Sequence, residues 1–211
     1  MPKLRLHNFS ISLDGYGAGP DQSVDDPLGV NGQLLHQWVF ATASFHASEG
    51  GATGVDDDFV REGVTNIGAT VMGRNMFGPV RGGWDGSDWK GWWGDDPPFH
   101  HPVFVLTHHA HEPIVMDGGT TFHFVTDGPE AALERAFDAA DGADVRLGGG
   151  VETVRQYLRL GLVDEAHVPI VPVLLRRGEL LFCDLGDALD HYECVKYVGT
   201  PAVAHMRLAR T

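Results

Sequence analysis

The chain has 211 residues, 43% of them hydrophobic and 21% charged, which is typical of a folded globular protein rather than a disordered one. The 29 acidic residues outnumber the 15 basic ones, and the formal net charge of −14 disfavours binding to nucleic acid or an anionic membrane. The two cysteines form no paired motif, no apolar run reaches membrane-spanning length, and the first residues lack a secretory apolar core. We therefore expect a soluble, cytoplasmic, single-domain protein over residues 1–211.

The first third of the chain predicts a strand, a glycine-rich loop and a helix. Residues 4–13 alternate between apolar and polar side chains, the period of a half-buried strand, and SLDGYGAGP then interrupts it. Residues 34–45 are compatible with a short helix or a strand. The segment GVDDDFVREGVTN predicts a helix with an aspartate at its N-cap and further carboxylates in its first turn. The apolar strand 69–73 follows, and RNMF after it predicts one helical turn.

An irregular loop is expected at about residues 80–102, where Gly, Asp and Pro surround four of the five tryptophans. We expect Trp84, Trp89, Trp92 and Trp93 to pack this loop onto itself or to form a subunit interface; a pocket wall for a flat ring is the alternative. Nearby histidines lack the companion ligands of a zinc site, so no metal is predicted; they are His100, His101, His108, His109 and His111.

The second half of the chain alternates strands and helices. Strands are predicted at 102–108 and 120–126, followed by an amphipathic helix, a strand ending in three glycines, and a helix that stops at Gly161. EAHVPIVPVLL predicts a strand whose prolines make it irregular, and two closing strands predict an antiparallel pair at a sheet edge. This order predicts an α/β fold in three layers, αβα, with a mixed central β-sheet flanked by helices.

Three strand ends carry residues suited to bind anions. VMGRNMF places Arg74 after a buried strand, VLTHH places Thr107 and His108 after the next, and RLGGGVET places three glycines before a helix. Ordinary turn and capping roles are the alternative for each segment. RLGGGVET does not match the GxGxxG pattern, and Glu152 must point away from any bound phosphate. Because a dinucleotide spans several strand ends of one sheet, the three segments together favour a dinucleotide site.

These segments, with the opening FSISLDGYGAG and the stretch LGGGVETVRQYLRLGLVDEAHVPIVPVLL, resemble the dihydrofolate-reductase-like superfamily over essentially the whole chain. The greatest similarity is to the reductase domain of riboflavin-biosynthesis deaminase-reductases and its stand-alone relatives. The resemblance implies a mixed sheet flanked by helices, NADPH as hydride donor, a small-molecule substrate and a homodimer. The residues that it assigns to the cofactor are Gly73, Arg74, Asn75, Thr107, His108, Thr126, Gly148, Gly149, Gly150, Val151, Glu152 and Thr153.

The resemblance places the substrate beside a closing loop that contains Ser12, Asp14, Gly15 and Gly17. Two carboxylates are catalytic candidates. Asp14 lies in that loop, where an ordinary Asp-Gly turn is the alternative. Asp57 lies where dihydrofolate reductases carry their pterin-binding carboxylate, but helix capping is the favoured role for it. No HxE motif with a downstream PCxxC is present, which excludes deamination.

We therefore expect an NADPH-dependent reductase of a small heterocyclic or carbonyl compound. The substrate could be a pyrimidine or pterin, like the pyrimidine that is reduced in riboflavin biosynthesis. A catalytically inactive NADP(H)-binding sensor or dimeric interaction module is the alternative. A metal-binding protein that uses the histidines is a third hypothesis.

Overall fold

A computed structural model describes residues 1–46, 50–78, 82–84, 86 and 88–211. Its strands are β1 (Leu4–Leu6), β2 (Ile11–Ser12), β3 (Tyr16–Ala18), β4 (Ile67–Gly73), β5 (Pro102–Leu106), β6 (Ile114–Val115), β7 (Thr121–Val125), β8 (Asp144–Gly149), β9 (Glu165–Val171), β10 (Glu179–Leu180), β11 (Tyr192–Gly199) and β12 (Ala204–Arg210). Its α-helices are α1 (Gln37–Phe40), α2 (Val55–Glu62), α3 (Arg74–Phe77), α4 (Pro129–Ala139) and α5 (Val151–Arg159). Short 3-10 helices span Gly32–His36, Asp117–Gly119 and Ala188–His191.

The predicted mixed sheet is confirmed. In the described part of the chain it contains ten strands in the order β11-β12-β9-β1-β8-β4-β5-β7-β6, with β2 added beside β9. The strands from β9 to β7 run parallel, whereas β12, β11 and β6 run antiparallel to their neighbours. The closing pair β11–β12 lies at one sheet edge, as the sequence predicted. β3 and β10 form a separate two-stranded ribbon.

The sheet has two unlike faces. On the face that we call the α4–α5 face, buried Leu, Val and Ala side chains of the central strands pack against α4 and α5. On the opposite face, which we call the α2 face, Arg5, Arg146 and Thr70 lie side by side on β1, β8 and β4. Helix α2 covers β9 and β12 on that face, where the Phe59 ring stacks on His167 and His205. The Trp-rich loop covers Val103 and Phe122 farther along.

The prediction of one half-buried strand over residues 4–13 was wrong. The predicted half-buried strand over residues 4–13 is two short strands, and Leu4, Arg5 and Leu6 are all buried because helices cover both faces of the sheet. The chain leaves the ladder near Asn8, whose φ is +56°. This break also accommodates Pro169, which lies in β9 opposite the gap between β1 and β2, where no neighbouring strand requires its missing N–H.

The predicted aspartate N-cap of α2 was also wrong. The N-cap is Gly54, with φ 128°, and the three aspartates that follow Val55 lie in the first turn, where their charge favours the helix N-terminus. Asp56 and Asp57 also make tertiary contacts, to His205 and Ser44.

The Trp-rich loop has no regular element among its described residues; residues 80, 81, 85 and 87 of the predicted loop lie outside them. Trp93 packs on Phe99 and Phe122, and the Trp89 indole N–H donates to the Phe77 carbonyl at 3.0 Å. The loop therefore packs partly onto itself, as predicted, and partly onto β7 and the end of α3. None of the helices in the described ranges has the length and apolar character that a membrane crossing requires.

Candidate active site

A cleft of about 480 Å³ lies at the carboxyl ends of β4, β5, β7 and β8. In parallel sheets this edge collects the strand ends and helix N-termini, so residues distant in sequence meet there. The lining residues are Arg74, Asn75, Leu106, Thr107, His108, Thr126, Gly128, Pro129, Gly150, Val151, Glu152, Thr153, Arg155, Gln156 and Glu179.

The N-terminus of α5 supplies backbone donors to the cleft. The N–H of Val154 bonds to the Gly150 carbonyl at 3.0 Å, so the N–H groups of residues 151–153 precede the first intrahelical hydrogen bond. No side chain among the described residues caps them. The helix dipole adds partial positive charge at this end. An anion that enters the cleft therefore finds both directed N–H groups and a favourable potential.

The glycines before α5 allow this close backbone approach. Gly149 has φ +131°, a region that other residues rarely adopt, and the peptide bond between Gly149 and Gly150 is cis. A Cβ atom on Gly150 would meet no atom within 4 Å, so its position faces open space at the cleft. The glycine-rich segment thus leaves room for a ligand directly above the helix N-terminus.

Two other glycines pack elements tightly around α5. A Cβ on Gly73 would lie 2.1 Å from the Thr153 hydroxyl oxygen, so only glycine lets the end of β4 contact the start of α5. A Cβ on Gly17 would lie 2.9 Å from Val151 and 3.0 Å from the Phe9 ring. Both glycines therefore serve the shape of the site through packing.

The Arg74 and Arg155 side chains give part of the cleft positive character. The Arg74 guanidinium carbon lies 3.5 Å from the centroid of the Trp84 ring, which holds this cation flat against the Trp-rich loop. Trp84 itself is anchored by its indole N–H, which donates to the His109 carbonyl at 3.0 Å. His108 is exposed and lines the cleft beside Thr107.

Glu152 is turned into ion pairs along α5. Its carboxylate contacts Arg155 and lies 3.2 Å from an Arg159 nitrogen. Arg155 also donates to the Cys183 sulfur, and it lines the cleft itself. Two arginines therefore balance the acidic charge at the helix start, although Glu152 still lines the cleft.

The loop after β2 is held in place by Asp14. Its carboxylate accepts hydrogen bonds from the Ser12 hydroxyl at 2.6 Å and from the N–H groups of Leu175 and Arg176 at 3.1 and 2.8 Å. The Ser12 hydrogen bond, with the backbone ones, lowers the pKa of Asp14. An ionised carboxylate with these partners organises the loop and is unsuited to donate a proton near neutral pH. Gly15, with φ +89°, forms the turn beside it.

Asp57 is buried and accepts a hydrogen bond from the Ser44 N–H at 2.7 Å. Hydrogen bonding from Ser44 lowers its pKa, so this carboxylate is ionised at neutral pH. It connects α2 to the turn after α1. The geometry gives both catalytic candidates structural contacts.

The structure brings nine of the twelve predicted cofactor residues to the cleft surface and leaves Gly73, Gly148 and Gly149 behind it. Arg155, Gln156 and Glu179 line the cleft but were not predicted. The helical spacing after Glu152 could have indicated Arg155 and Gln156. Glu179 lies in β10, which pairs with β3 far away in sequence, so no local pattern indicated it.

The histidines near the Trp-rich loop have other contacts. His111 packs on Trp84, and the His100 ring lies 2.9 Å from the Gly118 carbonyl. Within the described ranges, no group of three or more His, Cys, Asp or Glu side chains is arranged to hold a metal ion.

The fold and the cleft together define a protein of the dihydrofolate-reductase-like class. The sequence matches the RibD C-terminal domain family over residues 2–198, and the chain belongs to that family. A search of curated protein sequences finds no match.

Solved structures share the fold. A protein assigned to riboflavin biosynthesis from Shewanella sp. PV-4 aligns over 100% of this chain and 99% of its own, with a TM-score of 0.62 and 21% identity. A pyrimidine reductase-like protein from Corynebacterium diphtheriae aligns over 100% and 92%, with a TM-score of 0.55 and 16% identity. The diaminohydroxyphosphoribosylaminopyrimidine deaminase/5-amino-6-(5-phosphoribosylamino)uracil reductase of Thermotoga maritima aligns over 100% and 57%, with a TM-score of 0.55 and 9% identity. The chain thus spans little more than half of that last protein.

Proposed function

We propose that this protein is an NADPH-dependent reductase of a small heterocyclic or carbonyl compound. The observation that carries the proposal is the convergence of four strand ends and the α5 N-terminus on one cleft that contains Arg74, His108 and Arg155. Membership of the RibD C-terminal domain family, and the fold shared with a pyrimidine reductase-like protein, support reduction as the reaction.

The residues of the cleft fit a dinucleotide phosphate. The N–H groups at the start of α5 and the open position beside Gly150 suit a pyrophosphate, which needs several donors and close backbone approach. Thr107 and His108, at the end of β5, suit the additional 2′-phosphate that distinguishes NADPH from NADH. NADPH, when bound, would supply the hydride.

The chain's own contribution is to bind and orient the cofactor and the substrate. The Phe9 ring lies close to both Gly17 and Gly149, so β3 and the glycine segment meet at this ring. The hydrogen bonds of Asp14 to the N–H groups of Leu175 and Arg176 fix the loop after β2 in one conformation. Because Asp14 and Asp57 are both ionised structural carboxylates, we assign the proton to solvent water.

A glycine substitution tests the cofactor site with little effect on folding. Gly150→Ala places a methyl group where no protein atom lies, at a φ of −70° that alanine accepts. We expect NADPH affinity to fall about 10-fold or more, since the methyl group obstructs the approach of a phosphate. Gly199→Ala, at an equally open position on β11, is the matched control and should bind NADPH like the wild type.

Isothermal titration calorimetry with NADPH and NADH measures both effects. We expect tighter binding of NADPH than of NADH in the wild type, and a smaller difference in a Thr107→Val, His108→Ala variant. Absence of NADPH binding to the wild-type protein would overturn the proposal. Binding without oxidation of NADPH by any member of a pyrimidine, pterin and carbonyl panel would instead identify a binding protein.

We also propose a homodimer, as the family resemblance implies. The edge strand β11 exposes Val195 and Tyr197, at 50% and 65% of their full accessibility, which supports an interface along this edge. Sedimentation equilibrium on the wild type and on Tyr197→Lys tests it, and a wild-type monomer at micromolar concentration would contradict it.

A further inference from the structure

Trp84 is held in place by several neighbours beside the cleft. Its indole N–H donates to the His109 carbonyl at 3.0 Å, and its ring centroid lies 4.4 Å from that of His111. The ring also meets Phe124 and Phe77 edge to face, at centroid distances of 4.9 and 6.3 Å. An aromatic ring with a polar anchor and two edge-to-face contacts has a defined plane. Trp84 is therefore fixed although it lies in the Trp-rich loop, outside any helix or strand.

The fixed ring determines how the Arg74 guanidinium lies. The Cζ atom of Arg74 is 3.5 Å from the centroid of the Trp84 ring and 5.6 Å from that of Phe77. The guanidinium is planar and its five N–H donors all lie in that plane, so a ring stacked on its face fixes the directions of the donors without occupying them. Arg74 begins α3 and lines the cleft. Trp84 thus orients a cation that faces the ligand site.

The same ring connects two segments that line the cleft. The His109 N–H donates to the Thr107 hydroxyl at 3.2 Å, and Thr107 and His108 line the cleft at the end of β5. Arg74 follows β4, which pairs with β5. Trp84 is bound to the turn after β5 and stacked on the residue after β4, and the described lining of the cleft does not include it. Any effect of Trp84 on a ligand in the cleft must therefore pass through these neighbours.

An arginine that is already oriented binds an anion more tightly than a mobile one. A flexible side chain loses rotamer freedom when it pairs with a ligand, and this loss lowers the affinity. The stacking on Trp84 restricts Arg74 before a ligand arrives, so less freedom is lost on binding. The effect matters in a chain with a net charge of −14, because an anionic cofactor depends on local cations.

We propose that Trp84 is a positioning residue for the cofactor, which holds the Arg74 guanidinium in the orientation that binds a phosphate group of NADPH. This inference rests on the proposed function. It gives the Trp-rich loop a part in ligand binding in addition to packing. Trp84 contacts Arg74 and does not contact the cofactor in this scheme.

A double-mutant cycle in calorimetric titrations with NADPH tests the inference. Trp84→Met replaces the ring by a flexible apolar side chain, and it should weaken NADPH binding about 2- to 10-fold. Arg74→Met removes the cation and should weaken binding about 10-fold. Because Trp84 acts through Arg74, the double variant should bind NADPH no more weakly than Arg74→Met alone. Two independent effects would instead multiply.

A conservative variant and a control in the same loop separate positioning from general loosening of the structure. Trp84→Phe keeps a ring face for the guanidinium and should bind NADPH more tightly than Trp84→Met does. Trp93→Met is the matched control. Trp93 packs on Phe99 and Phe122, so its replacement should lower the Tm and keep the affinity for NADPH. If Trp84→Met does not fold, Trp84→Leu takes its place in the cycle.

Three results contradict the inference: wild-type affinity in Trp84→Met, equal losses in Trp84→Met and Trp93→Met, or losses that multiply in the double variant. Each of them leaves the proposed function standing, since the wild type still binds NADPH. Absence of NADPH binding to the wild type overturns the proposed function, and this inference with it.

Discussion

The two faces of the central sheet are built on different principles. On the α4–α5 face, Leu6, Val71, Val145 and Leu147 are fully buried among apolar neighbours. On the α2 face, the same strands present Arg5, Thr70 and Arg146, and α2 covers two buried histidines. The α4–α5 face therefore buries mainly apolar side chains, whereas the α2 face combines an apolar cluster around Met72, Val103 and Phe122 with buried polar groups, whose burial costs free energy.

The largest expected effect comes from adjacent residues on β8. Leu147→Ala removes a fully buried side chain from the α4–α5 face and should lower the free energy of unfolding by about 2–5 kcal/mol. Arg146→Met, one residue earlier on the α2 face, should leave it unchanged or raise it, because it replaces a largely buried cation by an apolar side chain. Urea denaturation measures both. Similar losses at the two positions would contradict the contrast between the faces.

Acid should weaken the α2 face, where three buried histidines lie close together. Burial lowers the pKa of His7 to about 3 and that of His167 to about 2, with Arg5 acting on His7 and His7 acting on His167 as further causes. The folded state therefore binds fewer protons than the unfolded state, whose histidines titrate near pH 6.5. The stabilisation from these neutral histidines is complete above pH 6.5 and is lost as the pH falls toward their folded-state pKa values. For two groups, the free energy of unfolding can fall by at most about 2.7 kcal/mol per pH unit.

Urea denaturation between pH 7 and pH 5 measures this slope. His167→Gln should reduce the slope while it lowers the absolute stability, because an amide keeps hydrogen-bonding ability and does not titrate. If the pH dependence of the free energy of unfolding is unchanged in this variant, protonation of His167 is not the cause of acid destabilisation.

A hydrogen-bonded chain on the α2 face ends at Asp56. The His167 Nε2 and His205 Nδ1 atoms are 3.0 Å apart, and the His205 Nε2 atom is 2.9 Å from the Asp56 carboxylate. Asp56→Ala leaves buried His205 without this partner and should cost about 1–3 kcal/mol.

Asp58→Ala, in the same helical turn, is the control for that substitution. Asp58 pairs with Arg61 at the surface, so its loss should cost at most about 1 kcal/mol. Equal losses in urea denaturation would mean that the helix dipole, common to both aspartates, dominates over the buried hydrogen bond.

The contrast between the faces also explains what the sequence could and could not predict. The parallel strands and the helices α4 and α5 were predictable, because their apolar periodicity matches one covered face, and the strand ends identified Arg74, Thr107 and Gly150. The burial of Arg146 was not predictable. A charged residue between the apolar Val145 and Leu147 indicates a strand with one solvent-facing side. Its burial depends on elements that fold over β8 from elsewhere in the chain. The same holds for Asp57, whose partner Ser44 lies in an irregular turn.

The smallest effect is expected at the proposed cofactor cleft, where Arg155 and Arg159 share Glu152 as a partner. Arg155 and Arg159 both pair with Glu152, but only Arg155 lines the cleft. Arg155→Met should weaken NADPH binding about 10-fold, as expected for loss of one charge-assisted contact to a phosphate. Arg159→Met removes the same kind of pairing outside the cleft and should leave the affinity unchanged in calorimetric titrations. If both variants bind NADPH more weakly, the arginines act by holding Glu152 away from the phosphates. If only Arg155→Met does, its guanidinium contacts the cofactor directly.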